Sequence, residues 1–104
     1  MAEYISEPGT DTATADEVDL ERPRRFKVIL HNDDYTTMEF VVRVLEEIFR
    51  RPHNEAVAIM LSVHEQGTGV AGVYVREVAE TKVLQTHALA REHEYPLKCS
   101  LEPE

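Results

Sequence analysis

Asn32, Asp33 and Asp34 set three acceptor-bearing side chains in a row, and the chain then turns apolar through Tyr35-Thr36-Thr37-Met38-Glu39-Phe40-Val41. Polar acceptors beside an apolar wall are the composition of a binding pocket. Further on, Met60 and His64 are four residues apart, which on a helix puts the imidazole one turn beyond the thioether on nearly the same face. If the helices carrying these two stretches pack side by side, Met38 and Val41 face Met60 and Val63 across a deformable, sulfur-rich groove. An amide oxygen, carboxylates and a neutral imidazole nitrogen then stand at its mouth. That set suits a cationic group with several N–H donors attached to a bulky apolar group, as at the first residue of a peptide chain. Two plainer readings stay open beside it. Asn-Asp-Asp also makes a turn, because short polar side chains bond to nearby backbone, and a histidine at the margin of an apolar face also serves structure alone.

Catalytic constellations are weaker. Ser62 falls in mid-helix and Ser100 alternates outward on the last strand, so no nucleophile and base pair up. His31, His53, His64, Asp33 and Asp34 include metal-ligand types but lack an HExxH or paired-cysteine spacing, and no metal or other cofactor is expected. Gly67-Thr68-Gly69 is too short to be a phosphate loop. The one cysteine, Cys99, lies in an alternating apolar run and reads as a small buried hydrophobe.

The elements that must position these residues follow from periodicity. A strand at roughly Arg25–His31 sets Phe26, Val28 and Leu30 on one face. Thr36-Thr37-Met38-Glu39 fits a capping box, with Thr36 as the cap and Glu39 reaching back, and opens a helix of about Thr37–Arg51. Met38, Val41, Val42, Leu45, Ile48 and Phe49 form its buried stripe. Pro52 starts a second helix that runs to about Gln66 and stops at Gly67, with Ala56, Ile59, Met60 and Val63 inward. A β-branched run, Val70 to Val75, predicts a strand. A third helix, about Glu77–Glu92, turns Ala79, Val83, Thr86 and Ala90 to one side. A last strand, about Tyr95–Glu102, alternates Leu97, Cys99 and Leu101 inward. The order βααβαβ predicts an α+β fold, a two-layer sandwich in which a three-stranded, mainly antiparallel sheet packs against three helices.

With 104 residues the chain holds one small domain. Of its net charge of −9, seven negative charges lie in residues 1–21, which have no Lys or Arg. Residues 1–22 therefore read as a disordered acidic N-terminal extension, with too little apolar surface to offset the entropy of ordering, and 23–104 as the folded domain. The rest of the chain is near neutral, and Arg22, Arg24, Arg25 and Lys27 make only a short basic cluster, so nucleic acid is not an expected partner. No apolar run approaches the roughly 18 residues of a membrane span, and no signal-peptide pattern opens the chain, so a cytoplasmic, soluble protein is expected.

Asn32-Asp33-Asp34-Tyr35-Thr36, Met38-Glu39-Phe40-Val41, Met60-Leu61-x-Val63-His64-x-Gln66-Gly67, Glu77-Val78-Ala79-Glu80-Thr81-Lys82 and Pro96-Leu97-x-Cys99, in that order, closely resemble the ClpS adaptor family. The likeness spans about Arg24 to Glu102. It departs at Thr37, where the family usually has proline, and at Val75, where a capping threonine is frequent. The resemblance implies a monomeric, non-enzymatic adaptor that binds N-degrons, meaning substrates beginning with Leu, Phe, Tyr or Trp. It would deliver them to a ClpA-type AAA+ unfoldase coupled to ClpP and modulate that unfoldase's choice of substrate. It further implies that Asn32, Asp33 and His64 hold the α-amino group, Asp33 through water, with Asp34 and Thr36 at the border. Met38, Val41, Met60, Val63 and Leu97 would line the side-chain pocket, Met38 as gatekeeper. Glu77, Glu80 and Lys82 would dock on the unfoldase N-domain, and the unfoldase would engage the N-terminal extension.

Overall fold

The first strand among the described residues becomes the middle of the sheet. In the computed structural model, which describes residues 24–104, β1 (Arg25–His31) is flanked on both sides, giving the strand order β2-β1-β3. The other elements are α1 (Met38–Glu47), α2 (His53–Gln66), β2 (Thr68–Val75), α3 (Arg76–Glu92) and β3 (Lys98–Pro103). The βααβαβ order and the two-layer α+β sandwich are as expected, and both strand pairings are antiparallel. The expected extension over residues 1–22 falls outside the described residues, as does the Pro23 boundary. Val28 and Leu30 are fully buried on the helix side of β1, whereas Lys27, Ile29 and His31 are only half-buried, so one face of the sheet stays partly wet. Opposite Val28 and Ile29 the pairing slips by one residue, leaving Ala71 of β2 unmatched. Arg51 uses that irregularity, donating from Nε to the Ala71 carbonyl at 2.9 Å.

Helix α1 starts one residue later than its sequence predicts. Thr37, not Thr36, is the cap, accepting the Phe40 N–H at 3.1 Å. The Thr36 hydroxyl is drawn instead to the Asp33 carboxylate at 2.7 Å, a charge-assisted bond stronger than a neutral cap. The capping box therefore does not form, and Glu39 is released from it. The helix also ends early, at Glu47, because Arg50 turns left-handed with φ 56° and the Arg51 N–H reaches back to the Leu45 carbonyl at 3.0 Å. Ile48 and Phe49 still point into the core from this turn.

Helix α2 stops where glycine permits it. Gly67 has φ 92° and donates its N–H to Val63 O at 3.0 Å, and β2 follows without a loop. A Cβ on Gly69 would lie 2.8 Å from Val63 Cγ2, so glycine lets the start of β2 press directly on α2. In α3, Thr86 is the one fully buried polar side chain among the described residues, and its hydroxyl is satisfied by the Lys82 carbonyl at 2.8 Å. His87 Nε2 accepts the Cys99 N–H at 3.1 Å and ties α3 to β3. The last strand begins at Lys98 rather than near Tyr95: the chain first closes α3, and Pro96 has no N–H to give a ladder.

Helix α3 closes by a reciprocal pair of backbone bonds, Tyr95 N–H to Ala90 O at 2.8 Å and Glu94 N–H to Arg91 O at 3.1 Å. That closure puts Glu94 at φ 62°, a conformation costing a side-chain-bearing residue about 1 kcal/mol. Glu94→Gly is expected to raise unfolding stability by about 0.5 kcal/mol, part of the gain being offset by the freer unfolded chain. Urea midpoints measured at a constant m-value check this.

Candidate functional site

The loop between β1 and α1 is held by its own side chain. Asp33 Oδ1 accepts the N–H groups of Tyr35 at 2.8 Å and Thr36 at 2.7 Å, and Oδ2 accepts the Thr36 hydroxyl at 2.7 Å. One residue earlier, the Asn32 N–H donates to the Gly67 carbonyl at 2.9 Å. That bond fastens the end of β1 to the end of α2, and His64 lies in the last turn of that helix. Helices α1 and α2 pack on each other, and between them and the loop opens a cavity of about 480 Å³.

Almost the whole predicted constellation lines it. Asn32, Asp33, Asp34 and Thr36 come from the loop, Met38 and Val41 from α1, and Met60, Val63 and His64 from α2. Val41, Met60 and Val63 are buried and form rigid wall, whereas Met38 is 44 % exposed at the first turn of α1 and has room to move. Leu97 does not line the cavity, contrary to its expected place there. It is 4 % exposed and belongs to the same hydrophobic core cluster as Cys99 and as Met60 and Val63 of the cavity wall. Two lining residues were not foreseen as such, Thr37 and Glu39. The shift of the cap onto Thr37 brings both to the rim, and only the competition for Thr36 by Asp33 could have signalled it.

The remaining predicted residues lie elsewhere. Glu77 and Glu80 are exposed, three residues apart on α3, and Glu80 accepts from Arg76 Nε at 3.0 Å. Lys82 is half-buried. Its Nζ donates to the Ile48 carbonyl at 2.7 Å, closing the end of α1, and sits 5.7 Å from the centre of the Tyr74 ring. Burial pushes the Cys99 thiol up to about 11, outweighing a lowering bond with Thr86, which fits an inert core residue. Among the described residues no three His, Cys, Asp or Glu side chains gather closely enough to hold a metal ion, and no helix is long and apolar enough to cross a membrane.

Fold and cavity together define a small α+β binding domain, with one groove that joins acceptors to an apolar interior. Residues 21–100 match the family model described as ATP-dependent Clp protease adaptor protein ClpS, and the chain belongs to that family. It is 60 % identical over 94 residues to the ATP-dependent Clp protease adapter protein ClpS of Nitratidesulfovibrio vulgaris, covering 90 % of this chain and 94 % of that one. The ClpS of Desulfatibacillum aliphaticivorans is 58 % identical over 104 residues, all of this chain and 92 % of the other. Among solved structures, Agrobacterium tumefaciens ClpS2 bound to L-phenylalaninamide superposes with a TM-score of 0.77 at 41 % identity, over 80 % of this chain and 100 % of that one. The protein is thus an adaptor of the Clp protease and not an enzyme.

Asp33 carries a testable electrostatic signature. Partial burial alone would raise its pKa, but the bonds from Thr36 N–H, the Thr36 hydroxyl and Tyr35 N–H outweigh that and hold it below the usual value. A depressed carboxylate adds stability that is fully present above its unfolded pKa of about 3.9 and is lost as pH falls through the lower folded value. The Asp33 carboxyl carbon in an NMR titration should have a midpoint below that of an ordinary aspartate. Loop amides should lose hydrogen-exchange protection over the same range, and an unshifted midpoint would show that these bonds do not persist in solution.

Proposed function

We propose that this adaptor reads the first residue of polypeptide chains, binding N-degrons that begin with Leu, Phe, Tyr or Trp. The observation that carries this is the single cavity in which Asn32 and His64, from two different elements, share a mouth above Met38, Val41, Met60 and Val63. A free α-ammonium offers three donors and a charge, and its own side chain begins one carbon away. A site that reads both must therefore place acceptors within a bond or two of apolar walls. Asn32 Oδ1 and an imidazole nitrogen of His64 are the direct acceptors. Asp33 has three of its roughly four lone-pair positions occupied by its own loop, so it contributes charge and bridges through water. Asp34 and Thr36 border the mouth. The solved Agrobacterium relative, with its phenylalanine amide, supports the same reading.

The family match supports a delivery role. The partner is a ClpA-type AAA+ unfoldase working with ClpP in the cytoplasm, whose substrate choice the adaptor thereby modulates. This adaptor acts as a monomer whose 23–104 domain docks on the unfoldase N-domain. Glu77 and Glu80 serve on the exposed side of α3, Lys82 acts indirectly by bracing α1, and residues 1–22 are the extension that the unfoldase engages.

Acetylating the N-terminus of a peptide that begins with Phe removes the charge and two donors. With charge-assisted bonds worth about 1.5–3 kcal/mol each, affinity should fall by at least roughly 30-fold in calorimetry. Equal binding of the two peptides would refute the proposal. Met38→Ala should open the wall that β-branched first residues meet and raise affinity for Ile- and Val-initiated peptides by roughly fivefold or more, with Phe still bound. Continued rejection of Ile and Val would take the gatekeeping role from Met38.

A further inference from the structure

Tyr35 is 77 % exposed, more than any other large hydrophobic side chain among the described residues. None of the hydrogen bonds or ring contacts among those residues involves its side chain, yet its backbone is among the best fixed in the loop. Its N–H is held by Asp33 at 2.8 Å, the next N–H by the same carboxylate at 2.7 Å, and the loop is anchored three residues earlier by Asn32 to Gly67 at 2.9 Å. An aromatic ring on a rigid backbone offers contact area while losing little conformational entropy on binding, the property that makes tyrosine common at recognition surfaces. The residues on either side of it, Asp34 and Thr36, both line the cavity, while Tyr35 itself does not. The backbone that carries the ring is therefore part of the rim, and the ring itself lies outside the cavity and in solvent.

What passes that point is set by the ligand. The first residue of a bound polypeptide occupies the cavity, and the chain must leave over the rim, so the second residue is the next group to meet this loop. We propose that Tyr35 is a specificity-determining residue for that second position, packing its ring against a bulky second side chain. This rests on the N-terminal reading above and extends it from one residue to two. The preferred ligands are then chains whose first residue fills the cavity and whose second is large, as in Phe-Leu, over Phe-Gly.

The test uses the full chain with three ligands: L-phenylalaninamide, a Phe-Leu peptide and a Phe-Gly peptide of otherwise equal sequence. In Tyr35→Ala the Phe-Leu peptide should lose affinity by roughly two- to tenfold, the range of an aromatic packing contact. L-Phenylalaninamide, which has no second residue, should bind the variant as it binds the parent, and Phe-Gly should change by less than twofold. Tyr35→Phe should restore the Phe-Leu affinity, because the ring and not the hydroxyl makes the contact. Equal loss for all three ligands would make Tyr35 a structural residue of the loop and overturn the proposal. Unchanged Phe-Leu binding in Tyr35→Ala would overturn it too, even if delivery to the unfoldase were impaired. If L-phenylalaninamide fails to bind the parent protein, it is the N-terminal reading itself that falls.

Discussion

One backbone hydrogen bond, from Asn32 N–H to the Gly67 carbonyl, decides whether the acceptors form a site or merely a turn. It joins the residue just after β1 to the residue that caps α2, and thereby sets the Asn-Asp-Asp loop beside the helical turn that carries His64. The bond exists because Gly67 takes a left-handed conformation, which lets α2 end abruptly and turns its final carbonyl toward the sheet. Gly69 then allows the start of β2 to lie close against Val63. Two glycines, neither of which lines the cavity, thus fix the distance between the groups that do.

Within the loop the acidic residues divide their work. Asp33 is turned inward and consumed in ordering Tyr35 and Thr36, so the loop is preorganised before any ligand arrives. Asp34 and Glu39 remain at the rim with no hydrogen bond among the described residues, and they keep the mouth negative. Beneath them, Val41, Met60 and Val63 are tightly buried and Met38 is not. The pocket therefore has fixed walls and one adjustable side, which suits a set of ligands that share a large apolar group but differ in shape.

Elements with strong periodicity were readable from the sequence. Strand β1, the inward face of α2 and its stop at Gly67, and the buried sides of α3 and Cys99 all follow from spacing alone. The gathering of Asn32, Met38, Met60 and His64 was readable as well, since it needs only that α1 and α2 pack together. What could not be read were competitions between partners. Thr36 fits the cap pattern as well as Thr37 does, and only the pull of the Asp33 carboxylate in three dimensions settles which of them caps the helix. Lys82 looks like a surface charge until the end of α1, 34 residues away in sequence, presents it with an open carbonyl. Leu97 sits in an apolar alternation that serves equally for lining a cavity or filling a core. Its short-range pattern carries no mark of which.

The central place of β1 has a consequence for how the protein is made. Val28 must find Gly72 on one side and Leu101 on the other, so the three-stranded sheet is complete only once the chain through Leu101 is available. A nascent chain emerging from the ribosome carries Phe26 to Leu30 with both strand edges bare. It also lacks the C-terminal end of α2 that would complete the cavity. Capture of a client is thereby deferred to the finished molecule, and until then this hydrophobic strand is itself the kind of segment that protein quality control must shield.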